Sequence, residues 1–156
     1  MSPVLFSLVL LAFIAHAILG GIGIDRLLVQ IPGWYRVGPQ VFATYARATD
    51  LANGKFLYPL LGIGGPALTL AALAVALAQH ASGQLTTLLV VAVAFCLLHS
   101  VTTARAAPTM LRVGRVGSEE PALSPLLDRF VAWSIPRAIL QVLTAAVLLW
   151  ILCARW

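Results

Sequence analysis

The side chains able to do chemistry are few, and they interrupt long apolar runs. His16 and His99 sit inside two uncharged stretches, Arg137 and Gln141 open another, and Tyr58 follows Lys55 at the head of a fourth. A neutral imidazole can take a proton from an acidic carbon, and a guanidinium with amide or phenol donors can hold the resulting oxyanion. His16, His99 and Arg137 are therefore the candidate catalytic residues. Tyr58, Gln141, Trp133, Lys55 and Asn53 are the candidate substrate-binding residues. Plainer roles exist for each. A histidine in a helix can bond a neighbouring carbonyl or hydroxyl, Arg137 can snorkel to lipid headgroups, and Lys55 can anchor a helix end at the interface.

Other chemistries fit the sequence less well. Zinc needs three or four neighbouring ligands, and no two of the three histidines share a helix, so no metal site is expected. Two histidines on different helices could clamp a haem between them, which keeps haem as the alternative to a cofactor-free site. Ser100 adjoins His99, yet adjacent helix residues point about 100° apart and no buried Asp orients the imidazole, which argues against a hydrolase triad. Asp25, Asp50, Glu119, Glu120 and Asp128 all fall in connecting segments, which excludes a working carboxylate pair. Gly20-Gly21-Ile22-Gly23 and Gly62-Ile63-Gly64-Gly65 follow no strand, so helix packing explains them better than phosphate binding.

The elements that must position these groups follow from composition. Of 156 residues, 61% are apolar and 10% charged, with mean hydropathy +0.98. A soluble domain runs about 45–50% apolar and about 25% charged, so this is a membrane protein. Crossing a hydrocarbon core of about 30 Å takes roughly twenty helical residues. Four stretches qualify: 4–24, 56–78, 85–104 and 130–154. The fold expected is all-α, a single four-helix transmembrane bundle with short amphipathic cytoplasmic segments. Ala15-His16-Ala17 imitates a signal cleavage site, but Met1-Ser2-Pro3-Val4 carries no Lys or Arg and the apolar run continues beyond, so the first span reads as retained. Cys96 and Cys153 fall at different depths and are not expected to pair.

Arg26, Arg36, Arg47, Lys55, Arg105, Arg112, Arg115, Arg129 and Arg137 all lie at one end of these spans; Arg155 alone lies at the other. The positive-inside rule makes the crowded end cytoplasmic, with both termini outside, in the inner membrane. The net charge of +5 is then a matter of topology and implies no nucleic-acid partner. Trp34, Tyr35 and Trp133 would form the inner aromatic belt, Trp150 and Trp156 the outer one. Pro39 starts a short amphipathic helix that leads to Asn53-Gly54-Lys55, Ser124-Pro125 starts a second, and Gly114 to Pro121 reads as an exposed loop. Small and polar stripes mark the facing sides of the spans: Ala12, His16, Gly20 and Gly23; Tyr58, Gly62, Gly65 and Thr69; Ala92, Cys96 and His99; Arg137, Gln141 and Thr144. His16 lies nine residues from Asp25, about 13 Å deep, and His99 six from Arg105, about 9 Å deep. The polar groups thus crowd into the cytoplasmic half, as they would around a cavity open to the cytoplasm or the inner leaflet.

The order of features resembles the anthrone-oxygenase-like family of four-helix membrane proteins. The features are Pro32-Gly33-Trp34 in the first loop, Tyr45-Ala46-Arg47-Ala48-Thr49 in a helix, a third span ending in Pro108, and Phe130-x-x-Trp133 followed by Arg137. Many relatives carry a His three residues before that Arg, where this chain has Ser134. The resemblance implies oxidation of a polycyclic anthrone to a quinone by molecular oxygen, with no metal or flavin. Two other readings stand beside it: a haem protein ligated by His16 and His99, and a lipid-binding or accessory bundle without catalysis. The partners expected are the bilayer and a small lipophilic ligand, with Ala- and Gly-rich faces that also suit contacts between copies.

Overall fold

The computed structural model describes residues 1–117 and 121–154. Ser2 caps the first helix by accepting the Leu5 N–H at 3.3 Å, and Pro3 opens it where no donor is needed. Helix α1 (Pro3–Asp25) continues through a π-helical stretch, Arg26–Gln30, into α2 (Ile31–Val37). Pro32-Gly33-Trp34, expected in a loop, therefore lies in a helix. Pro32 falls in the first turn after the π stretch, where its missing N–H is tolerated. The Ile31 N–H donates to the Arg26 carbonyl five residues back. The buried positions take the same step, from Arg26 to Ile31, before Trp34 follows. This one wide turn keeps both Arg26 and Trp34 on the inner side.

Gly38, at φ 85°, makes the corner that other residues avoid and leads into α3 (Pro39–Ala48). Then come α4 (Gly54–Ala78), α5 (Gly83–Val113) and α6 (Leu123–Cys153). Between α4 and α5 the exposed His80 takes the left-handed conformation usual for glycine at a helix end, and the Ala81 N–H reaches back to the Ala76 carbonyl at 3.0 Å. Ser82 then caps α5 by accepting from Leu85. Helix α5 runs through Pro108 to Val113, well beyond the predicted end at Ala104. Helix α6 starts at Leu123 with no side-chain cap, so Ser124 lies inside the helix and Pro125 in its first turn. Of the expected loop after α5, Glu119 and Glu120 lie outside the described residues, as do Arg155 and Trp156 at the end of the chain.

The architecture is all-α. Among the described residues four helical stretches are long and apolar enough to cross a bilayer, and the chain is a multi-pass membrane protein. Around the bundle α1 packs on α4 and α6, α5 packs most extensively on α6, and α4 meets α5 more loosely. Large apolar side chains point outward, with Phe56 and Ile63 each 72% exposed, a surface suited to acyl chains.

The interior has two apolar clusters. One, at the end with the chain termini, gathers Leu5, Val9, Ala72, Leu89, Leu148 and Ile151. The other, at the loop end, gathers Trp34, Phe42, Ala46, Met110, Val113, Leu127 and Phe130. Trp34 is 3% exposed and stacks on Phe42 at 5.3 Å, so it is a core residue rather than part of an aromatic belt. Arg47 fastens α3 beneath the bundle: its guanidinium donates to the Val113 and Val116 carbonyls at 3.1 and 2.6 Å, capping the end of α5.

Helix α1 approaches α6 closely at Gly23, where an added Cβ would stand 2.8 Å from the Ala138 Cβ. Gly23→Ala is expected to cost about 1–3 kcal/mol by forcing the helices apart. Gly21→Ala, with nothing within 4 Å, is the control with no such cost. Thermal unfolding of the two variants in detergent, with Gly23→Ala melting lower, checks this.

Candidate functional site

Between the two apolar clusters lies a layer of polar side chains contributed by every long helix. His16 (α1), Thr69 (α4), Cys96 and His99 (α5), and Gln141 and Thr144 (α6) are all buried. Hydrocarbon supplies no hydrogen bonds, so these groups must satisfy one another or a ligand.

His16 is largely satisfied on one side. Its Nε2 lies 3.4 Å from the Thr69 hydroxyl and 3.3 Å from the Cys96 Sγ. Thr69 donates its own proton to the Gly65 carbonyl at 2.9 Å and so can only accept from the imidazole. A proton on Nε2 satisfies the Thr69 contact and leaves the unpartnered Nδ1 as an acceptor. Gly65 permits this arrangement, since a Cβ there would stand 3.1 Å from Nε2. The His16 ring meets His99 edge to face, with centroids 5.7 Å apart. His99 is 1% exposed, and neither of its ring nitrogens has a hydrogen-bond partner.

His99 forms one wall of a cavity of about 70 Å³ that is also lined by Leu19, Ile22, Gly23, Arg26, Tyr58, Gly62, Thr103, Arg137 and Gln141. At about 30 Å³ per water, that is room for two waters or for the polar edge of a larger molecule. Nothing lies within 4 Å of where a Gly62 Cβ would project, so the space continues past α4 at that point. On the loop side, Phe130 of the apolar cluster lies under two guanidiniums, with Arg26 5.4 Å and Arg137 5.6 Å from its ring centre. Phe130 thus lies between the loop-end cluster and the two arginines of the cavity wall.

The two arginines are placed differently. Arg26 Nη2 donates to both oxygens of Asp50 at 2.7 Å, and Asp50 also accepts the Tyr58 hydroxyl at 3.1 Å. Arg137 donates only a long bond, 3.3 Å, to the Ser134 hydroxyl.

His99, Arg137, Tyr58 and Gln141 line the cavity together, with His16 one layer behind His99. The other candidates lie elsewhere. Trp133 is half-buried against the loop-end cluster, Asn53 is exposed at the start of α4, and Lys55 is exposed beside the Phe56 ring. Two residues read from the sequence only as loop charges, Arg26 and Asp50, belong to the site. The signal for Arg26 was present, because it continues the stripe His16, Gly20, Gly23 by another three residues. Asp50 carried no such signal, since its approach to Arg26 depends on how α3 folds under the bundle. Carboxylate chemistry is therefore not remote from the site, although Asp50 has no partner carboxylate there.

No cluster of three or more metal-ligating side chains occurs among the described residues. The two histidine rings meet edge to face, and His16 Nε2 faces Thr69 and Cys96. No protein-family description, curated protein or solved structure matches the chain.

The Arg26–Asp50 pair is buried, with side chains 6% and 9% exposed. Asp50→Ala strands the guanidinium and is expected to cost about 3–5 kcal/mol, whereas Arg26→Met/Asp50→Ala removes both charges and recovers most of that loss. Unfolding of the single and double variants in detergent micelles checks the difference.

Proposed function

We propose that the chain is a membrane-embedded, cofactor-independent oxygenase acting on a lipophilic, enolisable ketone of the anthrone type. The observation that carries this reading is His99, a buried imidazole with both nitrogens unpartnered, in the wall of a cavity shared with Arg137, Tyr58 and Gln141. The resemblance of the sequence to the anthrone-oxygenase-like family points the same way.

His99 takes the ring-CH proton, and Arg137 with Gln141 holds the oxygen on which the charge settles. His16 fills the space behind His99 and fixes its ring, a role that follows from its place outside the cavity. The carbanion adds dioxygen, which partitions readily into an apolar interior. The peroxide takes back the proton held by His99, and loss of water with the second ring-CH proton leaves the carbonyl. The sum is anthrone plus dioxygen giving quinone plus water. The cavity admits only the reacting edge, so the flat body lies outward past Gly62 among acyl chains. Under this proposal the basic loop end faces the cytoplasm across the inner membrane, and the ligand enters from the lipid.

His99→Ala in proteoliposomes is expected to abolish the protein-dependent part of anthrone-driven oxygen uptake, a loss of about 10²–10⁴-fold. Gly62→Leu is expected to block the cavity mouth and reduce uptake as strongly without lowering the melting temperature, because its side chain enters open space. Oxygen-electrode rates undiminished in both variants overturn the assignment.

A further inference from the structure

The charges around the cavity do not balance. Arg26 and Arg137 both line it, and a guanidinium stays protonated in proteins. The facing carboxylate is Asp50, both of whose oxygens are taken by Arg26, one of them also by Tyr58. The other described acids lie elsewhere: Asp25 accepts from Gln30 at 2.6 Å on the outside of the bundle, and Asp128 is exposed. Asp50 is thus committed to its ion pair with Arg26. Arg137 is therefore a cation in a low-dielectric wall whose nearest polar contact is a neutral hydroxyl at 3.3 Å.

The Phe130 ring face, 5.6 Å away, meets part of this charge, and an anion would meet it more fully. Beside the guanidinium stand His99, whose neutral ring offers one N–H donor and one bare nitrogen, and the amide of Gln141, around a space sized for one oxyanion group. We propose that the ligand is bound as a monoanion, an enolate, phenolate or carboxylate on an apolar body, and that Arg137 is the counter-ion it finds. A guanidinium suits this task because its donors match two oxygen lone pairs at once. The inference rests on reading this cavity as the ligand site, and it deepens that reading by fixing the charge of the bound form. A neutral ketone then binds by giving up its proton on entry, and an oxyanion that is not an enolate, such as a carboxylate, binds without turnover.

Anthracene-9-carboxylate, a flat fluorescent monoanion that cannot enolise, tests the charge directly against its neutral methyl ester. The protein is held in nanodiscs of phosphatidylcholine, and partitioning into empty discs is subtracted. The wild-type chain is expected to bind the carboxylate about tenfold or more tighter than the ester, in keeping with a charge-assisted contact. Arg137→Gln is expected to erase the preference while leaving ester binding in place, and Arg137→Lys to retain part of it. Equal binding of acid and ester to the wild type overturns the anion inference and leaves the cavity reading standing. Binding of neither overturns the cavity reading itself. Retention of the preference in Arg137→Gln overturns the assignment to that residue. Affinity unchanged in discs containing phosphatidylglycerol supports a free lipophile as the ligand, and displacement of the probe there overturns it in favour of a lipid headgroup.

Discussion

Inside a bilayer there is no water to complete a hydrogen bond, so every polar side chain on a spanning helix must be answered by another part of the protein or by a ligand. Around that constraint the interior of this bundle is organised. Apolar clusters occupy the two ends, and the polar groups that lipid would penalise are gathered in one layer between them. Most of that layer is answered internally. Thr69 bridges His16, Cys96 and its own helix, while Asp50 answers Arg26 and Tyr58. What is left over among the described residues is the two nitrogens of His99, the Nε of Arg26 and the weakly held guanidinium of Arg137 on one cavity, with His16 Nδ1 one layer behind. The incompleteness is concentrated in one place, and this separates a site from a poorly satisfied core.

The helices can bring these groups together because their backbones come close where side chains are absent. Gly23 lets α1 rest on Ala138, Gly20 lets it rest on Val142, and Gly65 leaves space for the His16 ring. In membranes such small residues do the work that hydrophobic burial does in water. Gly62 is a glycine of another kind. Nothing lies within 4 Å of where its side chain would project from the cavity lining.

The π-helical stretch solves a related problem. A regular helix would carry the face of α1 past Arg26 and turn Trp34 away from it. One wide turn absorbs a residue, so that the charge faces the cavity and the indole faces the loop-end core. The segment below the membrane helices is therefore a structural floor. Arg47 ties it to α5, and Phe130 lies under both guanidiniums.

Composition and the spacing of charges were enough to establish four spanning helices, because the length of an apolar run is set directly by the thickness of hydrocarbon. Spacing was also enough to mark the inner faces, since small and polar residues at helical intervals have nowhere better to point: His16, Thr69, Cys96, His99 and Gln141 are all buried. Where the helices end was less legible. Pro32 and Pro108 read as breaks, yet Pro32 falls in a first turn where the missing donor is tolerated and α5 runs on through Pro108. Which polar residues share a cavity was not legible at all. Lys55 and Tyr58 are three residues apart, yet only Tyr58 turns inward, and Asp50 reaches the site through a fold of α3 that leaves no periodic trace. Membership of the layer is a property of single helices, written in their period. Pairing within it depends on the rotation and depth of each helix against the others, which only packing in three dimensions fixes.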